Sequence, residues 1–276
     1  MLAITPEKFH RPSFGIFYNN VKNNDGTIKY RGDTKICRDD LYFPGVVDYL
    51  ANKYRNVPKV NVIMHACSNG EEVYSFLGVL IIRLKEHALK FLPISAKDID
   101  LAHLKLAKKG IYNVTDGEYT TANIYMNGHF NDLFVPAPSK KSSDPHLKYT
   151  TAVEVTDSLK ALVDFKQGNI LKDASKINFK NTVLFARNFW PYLTSWEQEK
   201  LVEILSQKMD STSTLIIGDY DQDKANIDLL LIKNGFKEKI NNIFEKETSR
   251  EKINNFKSTS NSFLFKKFFS NFNTLS

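Results

Sequence analysis

Short apolar runs with a strand's look alternate along the chain with stretches whose apolar residues recur at helical spacing. Val60-Asn61-Val62-Ile63-Met64 has the β-branched character of a buried strand, predicted over about 60–67. Behind it, Val73, Phe76, Leu77, Leu80, Ile81 and Leu84 form one helical face and predict a helix over 71–86. Phe91 to Ala96 reads as a second strand, ending at Lys97-Asp98. Asp100 caps a short helix with Leu101, Leu104 and Ala107 on one face and Gly110 as its stop. From residue 112 to about 165 the alternation breaks into Tyr, Thr, Asn, Gly and Pro with short alternating runs and a solvated loop, "APSKKSSDP", which predicts a small β-rich insertion. The pattern then resumes. Thr182 to Ala186 is a strand, and 195–209 is a helix opened by the capping box Thr194-x-x-Glu197. "STLIIGDY" at 213–220 is a strand, 222–234 a helix ending at Gly235, and "SFLFKKF" at 262–268 a last strand. Strand–helix alternation over this length predicts an α/β fold, a doubly wound, mostly parallel sheet of Rossmann-like type.

In such a sheet, ligands bind beyond the carboxyl ends of the strands. The residues there are Cys67 to Glu72 after the first strand, Asp98 after the second, and Arg187-Asn188 after "TVLFA". The first of these, "HACSNGEEVYS", is a small-residue turn feeding a helix N-terminus, an arrangement that offers backbone N–H groups to a ligand. Two glutamates in the first helical turn would repel phosphate and suit a ligand carrying positive charge or donors. The plainer reading is that acidic residues there complement the helix dipole. Asp98 suits a pair of ribose hydroxyls, because a carboxylate accepts two hydrogen bonds at once, but a turn aspartate would look the same. Arg187 carries a fixed charge whose burial demands an anionic partner.

Composition narrows the class. The 276 residues are 42% hydrophobic and 25% charged, ordinary for a globular protein with room for one large domain and an inserted module. The longest apolar stretch is too short to span a bilayer, and no basic-then-apolar leader opens the chain. Two cysteines, Cys37 and Cys67, exclude a disulfide scaffold and a four-thiolate metal site, so the expectation is a cytoplasmic protein without metal or membrane insertion. The net charge of +7 comes from scattered lysines, many in Asn/Lys-rich stretches such as 236–257, and is read as compositional bias, not as a nucleic-acid stripe.

Several segments in register then identify a resemblance. "ACSNGEEVYS" resembles the cofactor turn of the CheR-type chemotaxis protein-glutamate methyltransferases, close to C-S-T-G-E-E-P-Y-S. "TKICRDD" at 34–40 resembles that family's T-x-F-F-R-D. "AKDIDLAHLKLAKKGIY" at 96–112 resembles its S-D-I-D…A-x-x-G-x-Y, and "FKQGNIL" and "FARNFWPYL" resemble F-x-x-G-N-L and F-C-R-N-V-x-I-Y-F. The matches run from Thr34 to about Phe236. The resemblance implies S-adenosylmethionine bound by Thr34, Arg38, Cys67, Ser68, Gly70, one of Glu71 and Glu72, Asp98, Ile99, Asn169, Ile170, Arg187 and Asn188. It places Arg38 and Tyr192 at the methyl transfer. It also implies a protein acceptor such as a chemoreceptor cytoplasmic domain, engaged through residues 112–165. The ammonium and sulfonium of that cofactor would explain a carboxylate at the turn. The chain then divides into an extension (1–33), a cofactor-binding domain (34–270) carrying the insertion, and a tail (271–276).

The departures are specific. Gly32 stands where the family has asparagine, Ile36-Cys37 replaces its aromatic pair, and Val73 replaces its proline. Only 33 residues precede Thr34, and they lack an amphipathic helical period, where the family carries a helical N-terminal domain. Two other readings compete. A nucleic-acid amino-methyltransferase needs Asn/Asp-Pro-Pro-Tyr, whereas Phe189 follows Asn188 and Tyr192 lies one position too far. A cofactor-binding module without catalysis would keep the same cofactor residues, and only a methyl-transfer assay separates it from an enzyme.

Overall fold

The computed structural model describes residues 34–38, 41–138 and 150–247. The first helix, α1 (Phe43–Lys53), carries Pro44 in its first turn and buries Phe43, Val46, Val47 and Leu50; a proline there is suited to a position that needs no N–H. β1 (Asn61–His65) leads into α2 (Glu71–Leu84) and a 3₁₀ segment, Lys85–Phe91. β2 (Ile94–Asp98) and α3 (Leu101–Lys109) follow. The Asp100 carboxylate caps α3 by accepting from the Ala102 N–H at 2.7 Å, and Gly110 ends it with φ 64°.

An inserted unit comes next: β3 (Ile111–Thr115), α4 (Asp116–Tyr125), α5 (Phe130–Leu133), β4 (Phe134–Pro136), β5 (Thr150–Val155) and the single turn α6 (Asp157–Lys160). Its strands make a separate antiparallel sheet in the order β3-β5-β4. The chain then returns through β6 (Val163–Gln167), α7 (Ile170–Asp173), β7 (Thr182–Ala186), α8 (Ser195–Lys208), β8 (Thr214–Ile216), α9 (Asp219–Ala225), α10 (Ile227–Lys233) and the hairpin β9 (Phe236–Ile240) and β10 (Ile243–Lys246).

The main sheet has the order β6-β2-β1-β7-β8-β10-β9 among the described residues. β6, β2, β1, β7 and β8 pair in parallel, and β10 runs antiparallel to both β8 and β9. The order reverses between β1 and β7, so the crevice for a ligand lies at the carboxyl ends of β1, β2 and β7. Helices cover both faces. β7 is buried throughout and its pleat shares it between two cores: Val183 and Phe185 join the side of Phe43, Phe76 and Leu80, while Leu184 and Ala186 join the side of Trp190, Leu201 and Phe244.

The predicted α/β, mostly parallel architecture is therefore present, with local differences. The second strand begins at Ile94, not Phe91, because Pro93 has no N–H to donate and Phe91 closes the 3₁₀ segment. Of the insertion's short alternating runs, "TANIYMNGHF" at 121–130 begins inside a helix, α4: Thr115 and Glu118 form a capping box, and Ala122 and Met126 bury one helical face. The insertion ends near Lys160 and not at 165, since β6 belongs to the main sheet. Leu101 is exposed while Leu104 and Ala107 are buried. The strand predicted at 213–220 is three residues long, and the helix predicted at 222–234 is split at Asn226, which takes φ 50°. The stretch read as compositional bias contains β9 and β10. The strand predicted at 262–268 and the extension 1–33 lie outside the described residues.

Candidate functional site

The turn after β1 is the most strained backbone in the site. Ala66 and Ser68 take φ values of 56° and 49°, and Gly70 takes 90°. The left-handed region costs a non-glycine residue about 1–2 kcal/mol, and such strain gathers at ligand-binding turns. Gly70 admits no side chain at all: a Cβ there would sit 2.9 Å from the Ala107 Cβ. The turn is held open by its neighbours. The Cys67 N–H donates to the Lys97 carbonyl at 3.1 Å, and the Ser68 N–H donates to Asp98 Oδ2 at 2.7 Å. Asp98 Oδ1 accepts from the Asp100 N–H at 2.9 Å. Asp98 thus ties the ends of β1 and β2 together with one lone pair on each oxygen, leaving one on each toward the cleft.

At the next strand end, the Gly168 N–H donates to the Asp98 carbonyl at 2.9 Å, and Asn169 Oδ1 caps α7 by accepting from the Leu171 N–H at 3.0 Å. One lone pair of Asn169 Oδ1 is thereby used on its own helix, and the amide N–H groups have no partner among the described residues. At the end of β7, Arg187 is buried and its Nη1 lies 2.6 Å from Glu72 Oε2, while its Nε donates to the Ile217 carbonyl at 3.3 Å. The anionic partner that a buried strand-end arginine demands is Glu72.

These pieces wall one cleft of about 280 Å³. Of the sequence-predicted residues, Thr34, Arg38, Cys67, Ser68, Glu72, Asp98, Ile99, Asn169, Ile170, Arg187, Asn188 and Tyr192 line it. Gly70 and Glu71 do not. Gly70 shapes the turn from behind, and Glu71 has Glu118 and Tyr112 as its titratable neighbours, where burial pushes its carboxyl up to about 7. The structure therefore separates the two glutamates: Glu72 faces the cleft and Glu71 does not. Sequence reasoning missed His65, His103, Gly168, Phe189 and Tyr220, which also line it. The strand-end rule covers His65 and Gly168, the last residue of β1 and the first after β6; His103 and Tyr220 carried no signal.

Burial sets the electrostatics. His65 is held down to about 4, first by desolvation and then by the Lys97 charge, so its imidazole is neutral in the wall. Desolvation raises Asp98, with the Ser68 and Asp100 N–H groups acting against it. The Cys67 thiol is raised well above its ordinary value by burial and by Asp98, which keeps it protonated. His65 Nε2 and Ser68 Oγ are buried and have no hydrogen-bond partner among the described residues. Two carboxylates, two guanidiniums, two unmet polar atoms and apolar Ile99, Ile170 and Leu171 make a wall suited to a polar, zwitterionic nucleoside.

The strand order and the position of this cleft are those of a class I methyltransferase. The chain belongs to the CheR methyltransferase family: the model of that family's SAM-binding domain matches residues 32–230. It is 28% identical over 178 residues to chemotaxis protein methyltransferase 2 of Pseudomonas aeruginosa, covering 62% of this chain and 56% of that protein. The chain thus spans about half the length of this curated relative. Among solved structures it is similar to magnesium protoporphyrin IX methyltransferase from Synechocystis with bound SAH, at 15% identity and TM-score 0.35, covering 71% of this chain and 72% of that one. A TehB-like SAM-dependent methyltransferase from Corynebacterium glutamicum aligns at 11% identity and TM-score 0.35, over 74% and 100% of the two chains. At those scores the fold assignment rests on strand order. S-adenosylmethionine is the cofactor that this domain family binds, and the cleft's donor set fits it. No helix among the described residues is long and apolar enough to cross a membrane.

Proposed function

We propose that this protein transfers a methyl group from S-adenosylmethionine to glutamate side chains of a protein acceptor, with a chemoreceptor cytoplasmic domain as the first candidate. The observation that carries the reading is the convergence of Arg38, Glu72, Asp98, Asn169, Arg187 and Tyr192 on one cleft at the carboxyl ends of parallel strands, in a chain of this family. The bound cofactor supplies an electrophilic methyl group on a sulfonium. Asp98 offers its two remaining lone pairs to ribose hydroxyls, while the Asn169 amide and the Ile99 and Ile170 side chains take the base. The Glu72–Arg187 pair offers opposite charges to the ammonium and carboxylate of the methionyl end.

The acceptor carboxylate is already ionised near neutral pH, so the displacement needs no general base. Positioning is what the protein adds. Arg38 orients the acceptor carboxylate and Tyr192, whose ring lies 6.2 Å from that of Tyr220, donates a hydrogen bond. The inserted sheet β3-β5-β4 is the candidate for holding the acceptor. Its base is fastened to the cofactor turn, because the Tyr112 hydroxyl donates to the Asn69 carbonyl at 2.8 Å. Two buried free thiols, Cys37 and Cys67, support a reducing cytoplasm as the place of action.

The test is transfer of tritiated methyl from S-adenosylmethionine into a bacterial lysate containing membranes. The expected result is label on protein that mild base releases as methanol. Label on nucleic acid, or cofactor binding with no label on any acceptor, overturns the proposal.

A further inference from the structure

Asp221 lies in α9, is fully buried, and is not part of the cleft wall. Its carboxylate nevertheless collects three backbone N–H groups. Oδ2 accepts from Gly218 at 2.8 Å and from Asn188 at 2.7 Å, and Oδ1 accepts from Trp190 at 3.2 Å. The Gly218 bond is the ordinary reach of a third helical residue back to its own cap. The other two are not local, since Asn188 and Trp190 precede it by 33 and 31 residues.

Those two N–H groups belong to the segment that carries the cleft residues Asn188, Phe189 and Tyr192. Asn188 sits there at φ 61°, and the two loops approach so closely that a Cβ on Gly218 would lie 2.2 Å from Asn188 Oδ1. The far side of the segment is fixed as well: Trp190 Nε1 donates to the Ala186 carbonyl at 2.7 Å, and Gln198 Nε2 donates to the Trp190 carbonyl at 2.9 Å.

We propose that Asp221 is a positioning residue of the cofactor cleft: its carboxylate fixes the 188–192 segment, and through it Asn188 and Tyr192 are presented to the cofactor. The inference rests on the cofactor reading above. A helix cap alone needs one bond and a half-exposed side chain, whereas this carboxylate is buried and spends most of its bonds on another loop. Its chemistry suits the task because the charged carboxylate, the form that three facing N–H groups and the Arg187 charge favour, is acceptor-only, while an asparagine of the same shape would turn an N–H₂ toward one of the donors. Burial pushes the Asp221 carboxyl up to about 7, with the three N–H groups and the Arg187 charge acting the other way.

The experiment compares the full chain with its Asp221→Asn variant at a temperature where circular dichroism shows both fully folded. Calorimetric titration with S-adenosylmethionine is expected to show at least tenfold weaker binding, and amide exchange at Asn188 and Trp190 is expected to accelerate while that of β1 and β2 is kept. A lower Tm with cofactor affinity within twofold and exchange at Asn188 and Trp190 unchanged would make Asp221 a structural cap and overturn the proposal. The exchange arm needs no cofactor, so failure of the unsubstituted chain to bind S-adenosylmethionine would refute the cofactor reading and remain distinguishable. If the variant does not fold, the unsubstituted chain still decides. The Gly218, Asn188 and Trp190 amides must then open as one unit, and S-adenosylhomocysteine must slow all three together. Unrelated protection at the three amides overturns the proposal.

Discussion

Asp98→Asn separates two jobs that one carboxylate performs. The wild-type side chain is buried and holds the Ser68 and Asp100 N–H groups on different oxygens. Asparagine keeps one acceptor oxygen and replaces the other with an N–H₂ that confronts a donor. One charge-assisted bond is lost, worth roughly 1.5–3 kcal/mol. For a chain of this size class that is a Tm lower by roughly 3–12 °C in the absence of ligand. The second job is read by affinity. Four lone-pair sites minus two N–H groups leave two for ribose hydroxyls, and the amide retains fewer. Loss of one hydroxyl contact to an ionised acceptor corresponds to a Kd about tenfold weaker. Thermal melting followed by circular dichroism reads the first effect, and calorimetric titration reads the second. S-adenosylhomocysteine, which has the same ribose, must lose as much affinity as S-adenosylmethionine. A lowered Tm with both affinities unchanged would confine Asp98 to the scaffold. An unchanged Tm would mean that the two short N–H bonds add nothing to stability.

Three further outcomes are expected. Glu72→Gln removes the negative charge 2.6 Å from the buried Arg187 and should cost about 3 kcal/mol in urea unfolding, and Glu72→Gln combined with Arg187→Met should cost less than the two single changes added together. Gly70→Ala, placed at φ 90° and against Ala107, should destabilise by about 2–3 kcal/mol and remove cofactor binding; a wild-type melt would refute the strained turn. His65 titrates near 4 in the folded chain, below its ordinary value of 6.5, with Lys97 and Asp173 as the neighbouring charges. The unfolded chain therefore binds more protons between those values, and stability falls as pH drops from about 6.5 through 4, by at most about 3 kcal/mol. His65→Asn should flatten that part of the pH–stability curve, and an unaltered curve would place the acid sensitivity elsewhere.

The parallel sheet was legible because buried parallel strands are near-continuous apolar runs, and Val62 to Met64 and Val183 to Ala186 are of that kind. Strand ends then pointed to the cleft, which is why most candidate residues fall in one place. The β9–β10 hairpin was not legible, since "FKEKI" on the sheet's edge carries alternating lysines and reads as surface. α4 falls in a stretch that reads as β-rich because Thr, Tyr and Ile favour extended chain, and the capping box of Thr115 and Glu118 overrode that preference. Which of Glu71 and Glu72 enters the cleft depends on Arg187, a contact across 115 residues that no local pattern contains. Asp221 was hidden for the same reason: nothing in "GDYDQD" tells a cap from a clamp until the β7 loop lies beside it.

The inserted unit leaves and rejoins the sheet at nearly one point. Its first strand starts directly after Gly110, its last strand ends at Val155, and the Val155 N–H closes on the Gly110 carbonyl at 2.8 Å. β6 then pairs with β2 in a register that nothing within the insertion has to specify. Chain can therefore be added or removed beyond that closure at little entropic cost, because closure entropy grows only with the logarithm of loop length. The molecule behaves as a handle with a fixed socket. The insertion can lengthen, shorten or change its surface while the cofactor strands keep their register, so the donor half and the outward-facing half are free to diverge at different rates.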